Sequence, residues 1–194
     1  SMTLAISAMR LAIGKVLVHD MKCIETLARV NVLCVDKTGT ITENYMSVSE
    51  MIPASSEIPE EAVYELMSDF AAAQNYDNET MTAVKNYFNR PSGLVALSST
   101  GFSSEFKYSS VTFDRGAFVL GAPEFILRDK FNEYRELIES YSRKGYRVLA
   151  FASYSGTISG KALTSSVVPV CFIILSNPIR ENAAETFKYF DEQG

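Results

Sequence analysis

Apolar positions along the chain change their spacing several times, and each change marks an element. Leu4, Ala8, Leu11 and Ala12 recur at helical spacing, and Ile24, Leu27 and Ala28 do so again, so residues 2–30 read mainly as helix. The unbroken run Asn31–Val35 follows; its length and β-branched content predict a buried strand. Val63, Leu66, Met67 and Phe70 share one face of a helix over Ile58–Tyr76, with Pro59 at its start and Glu60 and Glu61 in its first turn. A second helix begins at Thr80 and stops before Pro91, because a proline pushes the preceding residue out of the α region. Gly101 to Leu120 reads as a hairpin that turns at Asp114-Arg115-Gly116. Leu127, Phe131, Tyr134, Ile138 and Tyr141 line one face of a helix over Pro123–Lys144, which Gly145 ends. Tyr146–Tyr154 and Val167–Ser176 read as strands, the second of them buried, and Glu181–Gln193 as a last helix.

The two ends have the pattern of a parallel α/β sheet, and the middle that of an α+β module with an antiparallel sheet. The predicted fold class is therefore α/β (α+β): an inserted domain with an antiparallel sheet flanked by helices, plus an incomplete parallel α/β host domain. Residues 1–46 form the first host segment with a preceding linker helix, 47–169 the insertion, and 170–194 the return to the host. Two host strands, Asn31–Val35 and Val170–Ser176, leave open sheet edges. The ends are accordingly expected to fray or to pair with a second copy of the chain.

Composition removes several function classes. With 47% hydrophobic and 21% charged residues, the chain can bury a core and is not disordered as a whole. A net charge of −5 without a basic stripe speaks against nucleic acid as a partner. Cys23, Cys34 and Cys171 lie far apart, with no metal-ligand spacing, which fits a reducing compartment. His19 is a lone histidine with no partner motif and reads as a surface or packing residue. The apolar runs at Met2–Ile13 and Val167–Leu175 fall short of the roughly 20 residues that a spanning helix needs. No secretory signal pattern is visible, and the chain is expected to be soluble.

Candidate chemistry concentrates at Asp36, directly after an apolar strand. Ligands of open parallel sheets sit beyond the carboxyl ends of the strands, and a carboxylate there can attack phosphorus. Lys37 adds positive charge, Gly39 lets amide donors approach phosphate oxygens, and Thr38 and Thr40 bring hydroxyls. Such transfers rely on positioning and electrostatics, usually with Mg²⁺.

The string Cys34-Val35-Asp36-Lys37-Thr38-Gly39-Thr40-Ile41-Thr42 resembles the signature of the P-type ATPases, within the haloacid-dehalogenase-like superfamily. The resemblance implies an aspartyl-phosphate on Asp36, ATP as substrate, and a partial Mg²⁺ site at Asp36 and Thr38. Phosphatases of the superfamily usually carry a second aspartate where Thr38 stands; without that base the acyl-phosphate should persist, as a pump requires. Phe102-Ser103-Ser104-Glu105-Phe106-Lys107 is similar to the family's FSS-x-x-K segment, which implies Phe102 against adenine and Lys107 beside the nucleotide. Gly121-Ala122-Pro123-Glu124 is similar to KGAPE, with Gly121 close to the nucleotide and Leu120 in the place of the usual lysine. Met81 stands where calcium pumps carry a glutamate that contacts adenine, and could pack against the base instead. Gly145-Tyr146-Arg147-Val148-Leu149-Ala150 resembles G-x-R-x-L-A, which implies Arg147 at the phosphates. Asn177-Pro178-Ile179-Arg180 resembles the D-P-x-R hinge, with Asn177 in place of Asp.

By this resemblance residues 47–169 are a nucleotide-binding domain and the flanks a phosphorylation domain. The parent would be a cation pump in a cell membrane, with a bacterial look, this segment lying on the cytoplasmic side. Its expected partners are ATP and ADP, the transported cation, and the transmembrane and actuator domains of the parent. The TGD and GDGxND segments have no counterpart in this sequence, so the chain alone is expected to bind nucleotide without turnover. A soluble phosphatase of the superfamily and a non-catalytic nucleotide-sensing or interaction module remain open as alternatives.

Overall fold

The computed structural model describes residues 2–20, 22–27, 29–76 and 78–193. The chain divides into two compact units: unit 1 is Ser1–Ile41 with Glu181–Gly194, and unit 2 is Thr42–Arg180.

Unit 2 is built on one six-stranded antiparallel sheet. Its strands are β1 (Ser47–Pro53), β2 (Ala96–Thr100), β3 (Tyr108–Phe113), β4 (Gly116–Gly121), β5 (Arg147–Tyr154) and β6 (Val167–Ser176), in the order β1-β6-β5-β4-β3-β2. Both faces are covered. Phe151, Cys171, Ile173 and Leu175 point into one core, which the helices Glu60–Ala72 and Glu79–Tyr87 complete with Val63, Met67, Phe70 and Val84. Phe70 meets Phe151 edge-on at 5.2 Å, a favoured aromatic geometry. Ala150, Ala152, Phe172 and Ile174 point the other way, under Ile126, Leu127 and Ile138. On the first face, buried Asp69 ties down a loop: its carboxylate accepts from the backbone of Gly93 at 2.9 Å and of Leu94 at 3.2 Å, and from the Ser92 hydroxyl at 2.7 Å.

Several elements depart from expectation. Val167–Ser176, expected in a parallel sheet, is antiparallel between β1 and β5. Its unbroken apolar run reflects burial on both faces, which parallel strands usually show but do not own. The predicted hairpin begins only at Tyr108; residues 101–107 form a turn instead. Strands β1 and β2 had no sequence forecast, and β2 is a five-residue edge strand, three of whose residues are Ser or Thr. The single helix expected over 123–144 is three pieces: an α-helical turn (Pro123–Leu127), a 3₁₀ turn (Arg128–Lys130) and a helix (Phe131–Arg143). The break falls at Arg128, whose φ is 51°. Its guanidinium leaves the helix register and donates to the carbonyls of Leu163, at 2.6 Å, and Ser165.

Unit 1 holds the helices Met2–Ile13, Lys22–Leu27 and Ala183–Gln193 and a π-helical turn, Lys37–Ile41. The helix expected over 2–30 is thus two, parted where Lys15 takes a φ of 61°. Ala28 and the Leu27 side chain lie outside the described residues. The strand expected at Asn31–Val35 does not form, and Val32 is 71% exposed. A strand exists by virtue of its partner, and every strand named among the described residues belongs to the sheet of unit 2.

One feature of the second core is sensitive to pH. The Tyr154 phenol oxygen accepts the backbone N–H groups of Thr164 at 3.2 Å and Ser165 at 3.3 Å. Burial alone would push its pKa up, but these donors together outweigh burial and lower it from 10.0 to about 8. The folded pKa lies below the unfolded one, so ionisation favours the folded state. That stabilisation is complete above the ordinary phenol pKa and is lost as pH falls through about 8. Neighbouring Tyr108 titrates later, raised by burial and by the Tyr154 charge. The stability difference between wild type and Tyr154→Phe, followed by urea unfolding, is expected to widen from about pH 7 to about pH 9.5. A difference flat across that range would remove the assignment.

Candidate functional site

At one end of the sheet of unit 2, β3 begins, β4 ends and β5 begins. A cavity of about 680 Å³ opens there, a size that suits a small-molecule ligand. Its inner wall is apolar: Met81, Leu120 and Ile138 all line it and are almost wholly buried. Phe102, 44% exposed, is the aromatic ring of the lining most open to a ligand. Lys107 and Arg147 bring positive charge, and Glu79 and Glu124 negative charge.

Each side chain is positioned by local chain chemistry. The helix Glu79–Tyr87 starts at Asn78, whose carboxamide oxygen accepts the Met81 N–H at 2.8 Å and so presents Asn78 to Met81 at the cavity. Lys107 takes a left-handed backbone, φ 57°, which a side chain rarely adopts. Three hydrogen bonds hold it there: Lys107 N–H to the Ser103 carbonyl at 2.8 Å, Ser103 N–H to the Tyr108 carbonyl at 3.0 Å, and Ala122 N–H to the Lys107 carbonyl at 2.9 Å. Strain retained by such over-determination is common at functional sites. Gly121 sits beside this turn. A Cβ there would overlap the Lys107 carbonyl oxygen and come within 2.7 Å of the Tyr108 Cα, so glycine is demanded first by the protein's own backbone. Burial pushes the Tyr76 phenol pKa up, against the opposing pull of the Ser109 side chain and the Phe102 backbone.

Arg147, the first residue of β5, donates from Nη1 to the Thr80 hydroxyl at 3.1 Å and to the Met46 sulfur at 3.7 Å. Met46 lies beside a short ladder formed by residues 42–45 and 177–180. Thr42 bridges Ile179, Glu43 N–H donates to the Pro178 carbonyl at 2.7 Å, Asn177 Nδ2 to the Tyr45 carbonyl at 3.0 Å, and Arg180 Nε to the Thr42 carbonyl at 3.2 Å. Asn177, Pro178 and Arg180 therefore meet residues 42–45 where the chain enters and leaves unit 2.

Met81, Phe102, Lys107, Gly121 and Arg147, read from separate stretches of sequence, thus line one cavity. Tyr76, Thr80, Ser109, Glu124, Ser142 and Tyr146 line it too, without having been singled out. Tyr76 and Thr80 flank a helix start, but only the sheet register shows that this start faces β4 and β5.

Asp36, Lys37 and Thr38 belong to unit 1. Asp36 is exposed, and its Oδ1 accepts the Lys37 N–H at 2.8 Å. Lys37–Ile41 coils as a single π-helical turn, which Gly39 permits with a φ of 76°. The Thr38 side chain lies outside the described residues. Among the described residues no group of three or more carboxylate, histidine or cysteine side chains is placed to hold a metal. No described helix is long and apolar enough to cross a membrane.

No family model matches the chain. It is 35% identical over 194 residues to the calcium-transporting ATPase CtpE of Mycobacterium bovis, covering 100% of this chain and 24% of that protein. It is 34% identical over 192 residues to the probable cation-transporting ATPase exp7 of Streptococcus pneumoniae, covering 98% of this chain and 24% of the other. The chain therefore spans about a quarter of the length of these relatives. A crystal structure of a zinc-transporting PIB-type ATPase shares the fold, with a TM-score of 0.64 at 18% identity over 92% of this chain and 26% of that one.

The origin of the glycine requirement is open to experiment. Gly121→Ala should lower stability by about 1–3 kcal/mol through forced separation of β3 and β4. The loss should show in urea unfolding without any ligand present. An unchanged unfolding midpoint would mean that the glycine serves a bound ligand instead.

Proposed function

The chain belongs to the P-type ATPases, and from that premise we propose that the cavity of unit 2 binds ATP and that Asp36 accepts its terminal phosphoryl group. The observation that carries the reading is convergence: Met81, Phe102, Lys107, Gly121 and Arg147 line the same cavity. The Phe102 ring stacks on the base, and Met81 and Leu120 give it an apolar wall. Lys107 and Arg147 take the phosphates. An Asp36 oxygen then forms a bond to the terminal phosphorus as the bond to the leaving ADP oxygen breaks. Thr38, in place of a second aspartate, leaves no base for water, so the acyl-phosphate lasts. Mg²⁺, which such transfers use, would draw on ligands beyond Asp36.

In this reading residues 42–180 are the nucleotide-binding domain, and the flanking segments are parts of the phosphorylation domain. We draw this domain wider than 47–169 because β6 pairs within the same sheet. The parent protein moves a cation across a membrane, with this segment on the cytoplasmic side together with transmembrane and actuator domains. Buried Leu120, where the family motif carries lysine, favours a second reading in which this chain holds nucleotide without turning it over.

Calorimetric titration with ATP and ADP tests the first reading. Phe102→Ala should weaken binding roughly tenfold, within the about 1–3 kcal/mol worth of one base–aromatic stack. Binding indifferent to Phe102→Ala would sink the adenine assignment. Purified chain should show no ATP hydrolysis; Mg²⁺-dependent turnover abolished by Asp36→Asn would overturn that expectation and establish Asp36 as the acceptor within this chain alone.

A further inference from the structure

Arg147 is held in a specific way. A guanidinium has five N–H donors, two of them on Nη1. In this chain Nη1 serves the Thr80 hydroxyl at 3.1 Å and the Met46 sulfur at 3.7 Å. The Thr80 hydroxyl in turn donates to the Met46 sulfur at 3.5 Å, closing a three-membered cluster. Nε and Nη2 have no protein partner among the described residues, and that edge is the fork that grips an oxyanion with two parallel hydrogen bonds. Met46 is itself tethered, because it follows Tyr45, whose carbonyl accepts from Asn177.

We propose that Thr80 and Met46 are positioning residues that pre-set Arg147 for phosphate binding, committing Nη1 to the protein and keeping the Nε–Nη2 edge for the ligand. This rests on the reading of the cavity as a nucleotide site. Met46 is not part of the cavity lining and Thr80 is, and both act through the arginine. An exposed arginine loses rotamer freedom when it binds, and a side chain already ordered loses less. The same cluster ties the arginine to the hinge, since the Asn177–Tyr45 bond sets where Met46 stands.

The test is a double-mutant cycle read with two ligands, ATP and adenosine, by calorimetry. Thr80→Val removes the hydroxyl at nearly constant volume. It should raise the ATP Kd about fivefold, the worth of one lost hydrogen bond, and leave adenosine affinity unchanged. Thr80→Ser should restore ATP binding. In an Arg147→Ala background Thr80→Val should cost nothing further, because its effect passes through Arg147. Additive losses, an equal loss for adenosine, or unchanged ATP affinity in Thr80→Val would each overturn the proposal. Met46→Leu keeps the packing volume and loses the sulfur acceptor; it should weaken ATP binding in the same ligand-selective way, and it carries the test should Thr80→Val fail to fold. If Arg147→Ala leaves ATP binding intact, the nucleotide reading of the cavity fails at its phosphate end and this proposal falls with it. If Arg147→Ala weakens ATP binding but Thr80→Val and Met46→Leu do not, only the positioning role fails.

Discussion

Strand Val167–Ser176 is the last strand of unit 2 in chain order, and it pairs on both sides, with Ser47–Pro53 and with Arg147–Tyr154. The Ser49 and Ser176 hydroxyls, 127 residues apart in the chain, lie 2.9 Å from each other. Closing so long a loop costs entropy, though the cost grows only slowly with length. Burial offsets it: Cys171, Phe172, Ile173, Ile174 and Leu175 are all inaccessible or nearly so, alternating between two cores. Without this strand, β1 would have no neighbour, and the chain's entry and exit would not meet.

The cavity is a by-product of that arrangement. Three strands start or stop at one end of the sheet, and a helix begins there. The apolar wall is where the two cores surface, with Leu120 on one face and Ile138 on the other. The polar groups arrive on backbone features that have their own reasons: an N-cap at Asn78, a strained turn at Lys107, a strand start at Arg147. Rigid elements hold them, which is what precise recognition of a ligand requires.

How much of this could be read in the sequence depended on whether the deciding interaction was local. The helix Glu60–Ala72 was legible because an apolar stripe and start signals lie within a few residues, and Glu79–Tyr87 because Pro91 bounds it. The hairpin turn at Asp114-Arg115-Gly116 was legible for the same reason. Val167–Ser176 was recognisable as a strand, yet its partners were not, since a run covered on both faces looks alike in parallel and antiparallel sheets. Asn31–Val35 has the composition of a strand and no neighbour to make it one. The break at Arg128 was hidden because apolar periodicity runs straight through it, and only the distant carbonyls of Leu163 and Ser165 explain it. In the cavity, residues within a recognisable motif could be named beforehand, whereas Tyr76, Ser109 and Ser142 lie in no motif and enter it only through tertiary packing.

The ladder between residues 42–45 and 177–180 means that unit 2 leaves the rest of the chain through a single doorway. To the flanking segments, whatever lies between those two exits is a closed parenthesis; they register the gap it spans and nothing of its contents. Such a module can gain or lose residues in its loops, or trade its whole interior for another, without moving its own two exits apart. Variation inside the sheet and its cavity can then proceed while the four residues at each exit keep the same pairing.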